Sequence, residues 1–194
     1  MPILGVLASS ISGNLYSNSF ESISTTTVGA GGSSTITFSS IPQTYTHLQI
    51  RYFAKDNWAP GTIGEVISVR LNSDTGSNYR THYLYAIQSG AGTAGSSTGT
   101  YFGDNFAMCA SNLPANTFGY GIIDFLDYTN TNKYKTAKVL TGVDSNKYYT
   151  GNFVGIGATS GVWLNTSAIS TITLAALNGT LQQYSSFALY GFKG

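Results

Sequence analysis

Few side chains in this chain could do chemistry. There are two histidines, His47 and His82, one cysteine, Cys109, and eight acidic residues. Activating a hydroxyl nucleophile calls for a neighbouring base. Both histidines fall in the middle of alternating strand patterns, where they read as surface or hydrogen-bonding residues. Cys109 in NFAMCASN has apolar neighbours and no flanking base, so it reads as a buried, inert thiol. Glycoside hydrolysis needs two carboxylates across one bond. Asp124 and Asp127 in IIDFLDY are three apart on a strand, so they point to opposite faces. No Walker sequence, dinucleotide fingerprint or metal-binding histidine pair is present. The expected class is therefore not an enzyme, and no cofactor is called for.

Two patterns remain. In VRLNSDTGSNY, from Val69 to Tyr79, the residues Asn72, Asp74, Gly76 and Asn78 alternate as in calcium loops. Only Asp74 is a carboxylate, and the twelfth position from Asn72, where an EF-type loop needs Glu, is Tyr83. A turn explains the stretch better: Asp74 bonds downstream amides, Gly76 supplies a positive φ and Tyr79 restarts a strand, which makes a hairpin. A weak metal or glycan contact at Asp74 is the remaining alternative. The second pattern is aromatic residues in loops: Trp58 beside Asn57, Tyr101, and the pair Tyr148 and Tyr149. Flat rings beside planar amides read sugars by stacking and hydrogen bonding, and the same residues build subunit interfaces. Asn57, Trp58, Tyr101, Tyr148 and Tyr149 are the candidate ligand contacts.

The elements that position these residues follow from composition and periodicity. Hydrophobic residues make up 42% of the 194 residues and charged residues 9%, against about 25% charged in ordinary globular chains. Ser, Thr, Asn, Gly and Tyr fill the difference, which suits strands joined by tight turns. A formal net charge of +1 offers no electrostatic capture of nucleic acid, and Lys135 and Lys138 face opposite sides of a strand. A single cysteine allows no internal disulfide. No apolar run reaches membrane-spanning length. The opening MPILGVLASSISG lacks a basic region and is broken by Pro2 and Gly5, so it reads as a docking arm rather than a signal peptide.

Strand signals recur along the chain and no stretch carries a helical stripe. In HLQIRYFAK, Leu48, Ile50, Tyr52 and Ala54 share one face. FGYGIIDFLDY, from Phe118 to Tyr128, is the most apolar strand and is expected to be central. SGAGTAGSSTGT, from Ser89 to Thr100, reads as a low-complexity exposed loop. FVGIGATSGVWL, with Gly155, Gly157 and Gly161, is expected to bulge or split. The sum is about eight to ten antiparallel strands, hence an all-β sandwich of jelly-roll type over 28–194, with an extended N-terminal arm over 1–27.

Three segments, LQIRYFAKDN, VRLNSDTGSNY and the terminal SSFALYGFKG, resemble small tail-fibre-like or minor virion structural proteins of tailed bacteriophages, of the cyanobacterial and marine phage type. MPILGVLASSISG and DYTNTNKYKT fit the same group. The resemblance implies a virion component folded in bacterial cytoplasm, where disulfides are rare and the sequons at Asn165 and Asn178 are without meaning. It implies a homo-oligomer, a trimer by analogy, docked to other virion proteins through the arm. Two roles fit: a tail-fibre module whose loops meet host-surface glycan, or a capsid decoration (cement) protein that stabilises the head.

Overall fold

A computed structural model describes residues 19–58, 64–87, 92–103, 106–143 and 155–193. Twelve strands form among these residues, in two antiparallel sheets packed as a sandwich. They are β1 (Phe20–Thr27), β2 (Thr35–Phe38), β3 (His47–Ala54), β4 (Gly64–Leu71), β5 (Tyr79–Ile87) and β6 (Gly92–Gly99). The others are β7 (Ala107–Cys109), β8 (Gly119–Leu126), β9 (Lys135–Val143), β10 (Gly155–Trp163), β11 (Ile172–Ala176) and β12 (Ser186–Phe192). No helix long and apolar enough to cross a membrane occurs among the described residues.

The large sheet runs β1-β12-β3-β8-β9-β10-β5-β6 and the small one β2-β11-β4-β7. Setting aside β5, β6, β9 and β10 leaves sheets β1-β12-β3-β8 and β2-β11-β4-β7. That is the strand order of an eight-stranded jelly roll, each sheet drawing alternately on both ends of the chain. The four other strands are two hairpins, β5–β6 between β4 and β7, and β9–β10 between β8 and β11. The hairpins join through β10 and β5, and β9 joins β8, so an annex extends one sheet well beyond the other.

Alternation sets which side chains enter the core. On β3, Leu48, Ile50, Tyr52 and Ala54 are buried while Arg51 and Phe53 face out. They meet Ile67, Val69 and Leu71 of β4 and Ile172 and Leu174 of β11 in one apolar cluster. β8 is central, as its composition suggests. Gly121 on β8 is required by packing, because a Cβ there would lie 2.4 Å from the Tyr52 ring.

Four segments differ from expectation in informative ways. Residues 69–79 do contain a turn, but β4 and β5 belong to different sheets, so the stretch is a crossing between layers and not a hairpin. The positive φ expected at Gly76 falls instead on Asn72 and Ser73 (51° and 57°), which turn the chain. The Asn72 amide binds across to the β10–β11 connection: Nδ2 donates to the Ala168 carbonyl at 2.7 Å, and Oδ1 accepts from the amides of Ser170 (2.9 Å) and Thr171 (3.1 Å). Local turn chemistry is the same in both geometries, which is why the spacing could not separate them.

The low-complexity segment forms edge strand β6, paired with β5 from Gly92 to Gly99. A ladder needs only backbone groups, and the small residue at Gly95 leaves room for the Tyr83 side chain, whose hydroxyl lies 2.6 Å from where a Cβ would sit. β10 is one unbroken strand in register with both neighbours despite its glycines. At Gly161 the missing side chain makes space for the Phe102 ring.

Of the segment read as an arm, residues 1–18 lie outside the described residues, and Phe20–Thr27 forms β1 on the edge of the large sheet. A register shift between Ser22 and Ser24 interrupts its period-two pattern. Tyr45 fastens it by donating to Glu21 Oε2 at 2.6 Å, and Lys193 reaches Glu21 Oε1 at 3.0 Å.

Candidate functional site

Of the loop residues singled out by sequence, Asn57, Trp58 and Tyr101 lie among the described residues, and each makes contacts within the fold. Asn57 Oδ1 accepts from the Thr180 amide at 2.8 Å, and the Asn57 amide donates to the Thr180 carbonyl at 3.0 Å. This closes the turn around Gly179, whose φ of +69° and lack of Cβ admit the Asn57 side chain. The Trp58 carbonyl accepts from the Ser111 amide and hydroxyl, and the residue is 41% exposed. Tyr101 is half-buried beneath the Arg70 guanidinium, 5.5 Å from its ring centroid. Tyr148 and Tyr149 lie outside the described residues.

Asp74 is a hub of hydrogen bonds. Its Oδ1 accepts from the Gly76 amide at 2.8 Å, and Oδ2 from Asn78 Nδ2 at 2.8 Å and the buried Trp163 Nε1 at 2.6 Å. These donors, Asn78 foremost, hold its carboxyl below the usual carboxylate range. A carboxylate so engaged with three N–H groups anchors β10 to the layer crossing. Among the described residues no group of three or more His, Cys, Asp or Glu could hold a metal ion.

The other titratable groups divide in the same way. His47 Nδ1 accepts from the Asp127 amide at 2.9 Å, and Asp127 pairs with Lys133. Lys135 is buried, with Nζ donating to the carbonyls of Lys133 (2.9 Å) and Thr166 (2.8 Å), and also to that of Asn130. Lys138 faces out from the same strand. Burial pushes the Cys109 thiol up to about 12, which leaves it a poor nucleophile. Beside it Asp56 is fully buried, and neither side-chain oxygen has a hydrogen-bond partner. Burial, followed by the nearby Glu65, pushes the Asp56 carboxyl up to about 7.

The surface that does gather chemistry is the outer face of the large sheet, which the small sheet leaves uncovered. Cross-strand register builds two rows there. One is polar: Tyr190, Gln49, Asp124, Lys138, Ser160 and His82 are successive partners on β12, β3, β8, β9, β10 and β5. Its first half is a connected rail. Phe20 stacks on Tyr190 with centroids 4.7 Å apart, and the Arg51 guanidinium lies 5.3 Å from the Phe20 centroid and 5.5 Å from that of Tyr190. Arg51 Nε donates to Gln49 Oε1 at 2.7 Å, and Gln49 Nε2 donates to Asp124 Oδ1 at 2.7 Å.

The adjoining row is apolar: Ile122, Leu140, Ala158, Leu84 and Ala94 are cross-strand partners from β8 to β6. With Tyr120, Ile156 and Ala86 behind it, this row makes a terrace. Leu84 is 62% exposed, Ile156 54% and Leu140 43%. An open trough of about 980 Å³ follows the border of the two rows, along Gln49, Asp124, Lys138, Leu140, Leu84 and His82.

Sequence reasoning passed over the rail because its members come from separate strands. The available signal was the outward alternation of His47, Gln49 and Arg51 on one strand.

No family model matches the chain, and no curated protein matches it. Among solved structures, a double mutant of the alginate lyase Aly36B in complex with an alginate trisaccharide overlaps it with a TM-score of 0.27 and 13% identity, covering 76% of this chain and 69% of that one.

Proposed function

We propose that the chain is a non-enzymatic structural protein of a tailed-phage virion. In this reading it is a tail-fibre or appendage module that reads a host-surface glycan with the rail on its outer sheet face. The observation that carries the proposal is the connected run Phe20–Tyr190–Arg51–Gln49–Asp124, held on a rigid sheet and open to solvent. Aromatic faces take the C–H faces of sugars, and planar amides, carboxylates and guanidinium groups pair with hydroxyls in fixed directions. Mutual bonding among the rail side chains fixes their rotamers before a ligand arrives, which lowers the entropy cost of binding.

The motifs that resemble phage virion proteins hold architecture: VRLNSDTGSNY ties the layers together, DYTNTNKYKT turns β8 into β9 around Lys135, and SSFALYGFKG supplies β12. This supports a structural rather than catalytic role. Docking to other virion proteins through the N-terminal arm, residues 1–27, and assembly as a trimer, belong to the same proposal.

The test is binding of purified full-length protein to host envelope preparations and to a glycan array. Gln49→Ala and Arg51→Ala should each weaken binding by ~10-fold or more, the scale of losing charge-assisted or amide hydrogen bonds, whereas Trp58→Ala should not. Binding to no preparation, or binding indifferent to both rail variants, would sink the glycan reading. The apolar terrace favours a second reading, a capsid decoration protein that packs against its neighbours on the head. Immunogold labelling of virions separates the two: labelled tails support the first and labelled heads the second.

A further inference from the structure

We propose that the terrace on the annex is the surface through which a second copy of this chain docks. The proposal stands on packing and does not depend on the glycan reading; terrace on terrace is a two-fold contact, separate from the contacts that would build a trimer. The residues at its centre are aliphatic and outward-pointing: Leu84, Leu140 and Ile156 are all more than two-fifths exposed, with Ala158 between Leu140 and Leu84. Scattered single apolar residues are ordinary on a surface, but a contiguous band marks an interaction site. Here the register makes them contiguous. A second, smaller trough of about 340 Å³ lies over the same residues, floored by Ala86, Ala158 and Gly157. Small residues beside large ones give the relief into which an opposing side chain can interdigitate.

Size and charge identify the occupant. Strands about 4.8 Å apart, with same-face residues about 6.8 Å apart along each, make the two apolar rows and the polar row that borders them, on five strands, about 24 Å by 20 Å. Two such faces bury roughly 1,000 Å² together, about where specific association begins. A nucleic acid, an acidic peptide or a basic peptide would each need a field of one sign. The terrace interior carries no charged residue, and its border carries one of each sign, Asp124 and Lys138, directly paired across strands. A chain whose net charge is only +1 meets no repulsion from its own copies. Four of the terrace's five strands are the annex, outside the eight jelly-roll strands, and the fifth, β8, contributes its outer face, so packing there leaves the sandwich undisturbed.

The test is sedimentation of the full-length chain over a concentration range, for the wild type, Leu84→Glu and Ile156→Glu. Both positions are exposed, and far-UV circular dichroism and the melting temperature verify that each variant folds. The wild type should assemble, and each variant should weaken assembly by ~100-fold or more, because a carboxylate would be desolvated at the centre of the contact. A wild type that stays monomeric at about 100 µM, far above useful affinities, overturns the proposal. So does an assembly that both variants leave intact, which would assign association to another surface such as the β6 edge. Assembly that appears only after residues 1–18 are removed also overturns it, since the chain's own N-terminal segment would then be the occupant.

Discussion

Asp56 gives a sharp test of how this sandwich responds to pH. Its carboxyl is fully buried with neither oxygen bonded, and the adjacent Lys55 turns away, donating to the carbonyls of Leu113 (2.8 Å) and Pro114 (2.7 Å). Burial first and Glu65 second raise its folded-state pKa to about 7, net of smaller opposing pulls from the nearby Trp58 and Asp56 amides, too poorly placed for a full hydrogen bond, and from Lys55, against about 3.9 in an unfolded chain. Between those values the folded protein holds a proton that the unfolded chain releases, so stability falls as pH rises through the window. Three pH units at about 1.4 kcal/mol each come to about 4 kcal/mol, of which about 3 kcal/mol is lost between pH 5 and pH 8. For a chain of this size the latter corresponds to a fall in melting temperature of ~6–12 °C. Asp56→Asn keeps the shape and removes the titration. Urea unfolding followed by tryptophan fluorescence at pH 5, 6, 7 and 8, for wild type and variant, isolates the term by difference. The wild type should lose about 3 kcal/mol more than Asp56→Asn across the range. Equal losses in the two proteins would show that Asp56 does not sit protonated in the core and would refute the reasoning.

Asp74→Ala should destabilise by about 3 kcal/mol, because it strands the buried Trp163 N–H and removes charge-assisted bonds; an unchanged urea midpoint counts against the hub. Since the Asp74 pKa is depressed, its contribution is present above the ordinary carboxylate range and lost as pH falls below about 4; acid titration of wild type against Asp74→Ala reads this directly. Gly121→Ala drives a Cβ into the Tyr52 ring and should cost about 1–3 kcal/mol, measured by thermal melting, with Tyr52→Leu as a compensating second change. Trp58→Ala should shift stability by no more than about 0.5 kcal/mol, because the residue is part-exposed and the carbonyl that binds Ser111 remains.

The fold was legible wherever side-chain burial alternates. Leu48, Ile50, Tyr52 and Ala54 announce β3, and the apolar run around Ile122 and Ile123 announces the central β8. It was illegible wherever backbone alone does the pairing, as in β6, whose Gly, Ser and Thr residues carry no face preference. The β4–β5 connection was misread because Asn72 and Asp74 bond their neighbours equally well in a hairpin and in a crossing; only the Asn72 contacts to Ala168 and Thr171, nearly a hundred residues away, distinguish them. Among site residues, Asn57 was chosen for its amide, which turns out to be spent on Thr180. Gln49 and Arg51 alternate with the buried residues of β3, which marks them as outward, but their alignment with Asp124 depends on pairing registers between β3 and β8 that local sequence does not encode.

The seam between β10 and β5 has a consequence for motion. The jelly roll closes without the annex, whereas β5 and β6 attach to the large sheet only along the Tyr79–Trp163 to Ile87–Gly155 ladder. Local opening proceeds in cooperative units smaller than the domain and starts from strands held on one side, although Tyr79, buried against Trp163 and Phe102, pins one end of β5. Amides of β6 and of the β5–β10 ladder should therefore exchange with deuterium sooner than those of β3, β8 and β12. The same hairpin would then be the part of the molecule most slowed by any contact that clamps the annex from outside.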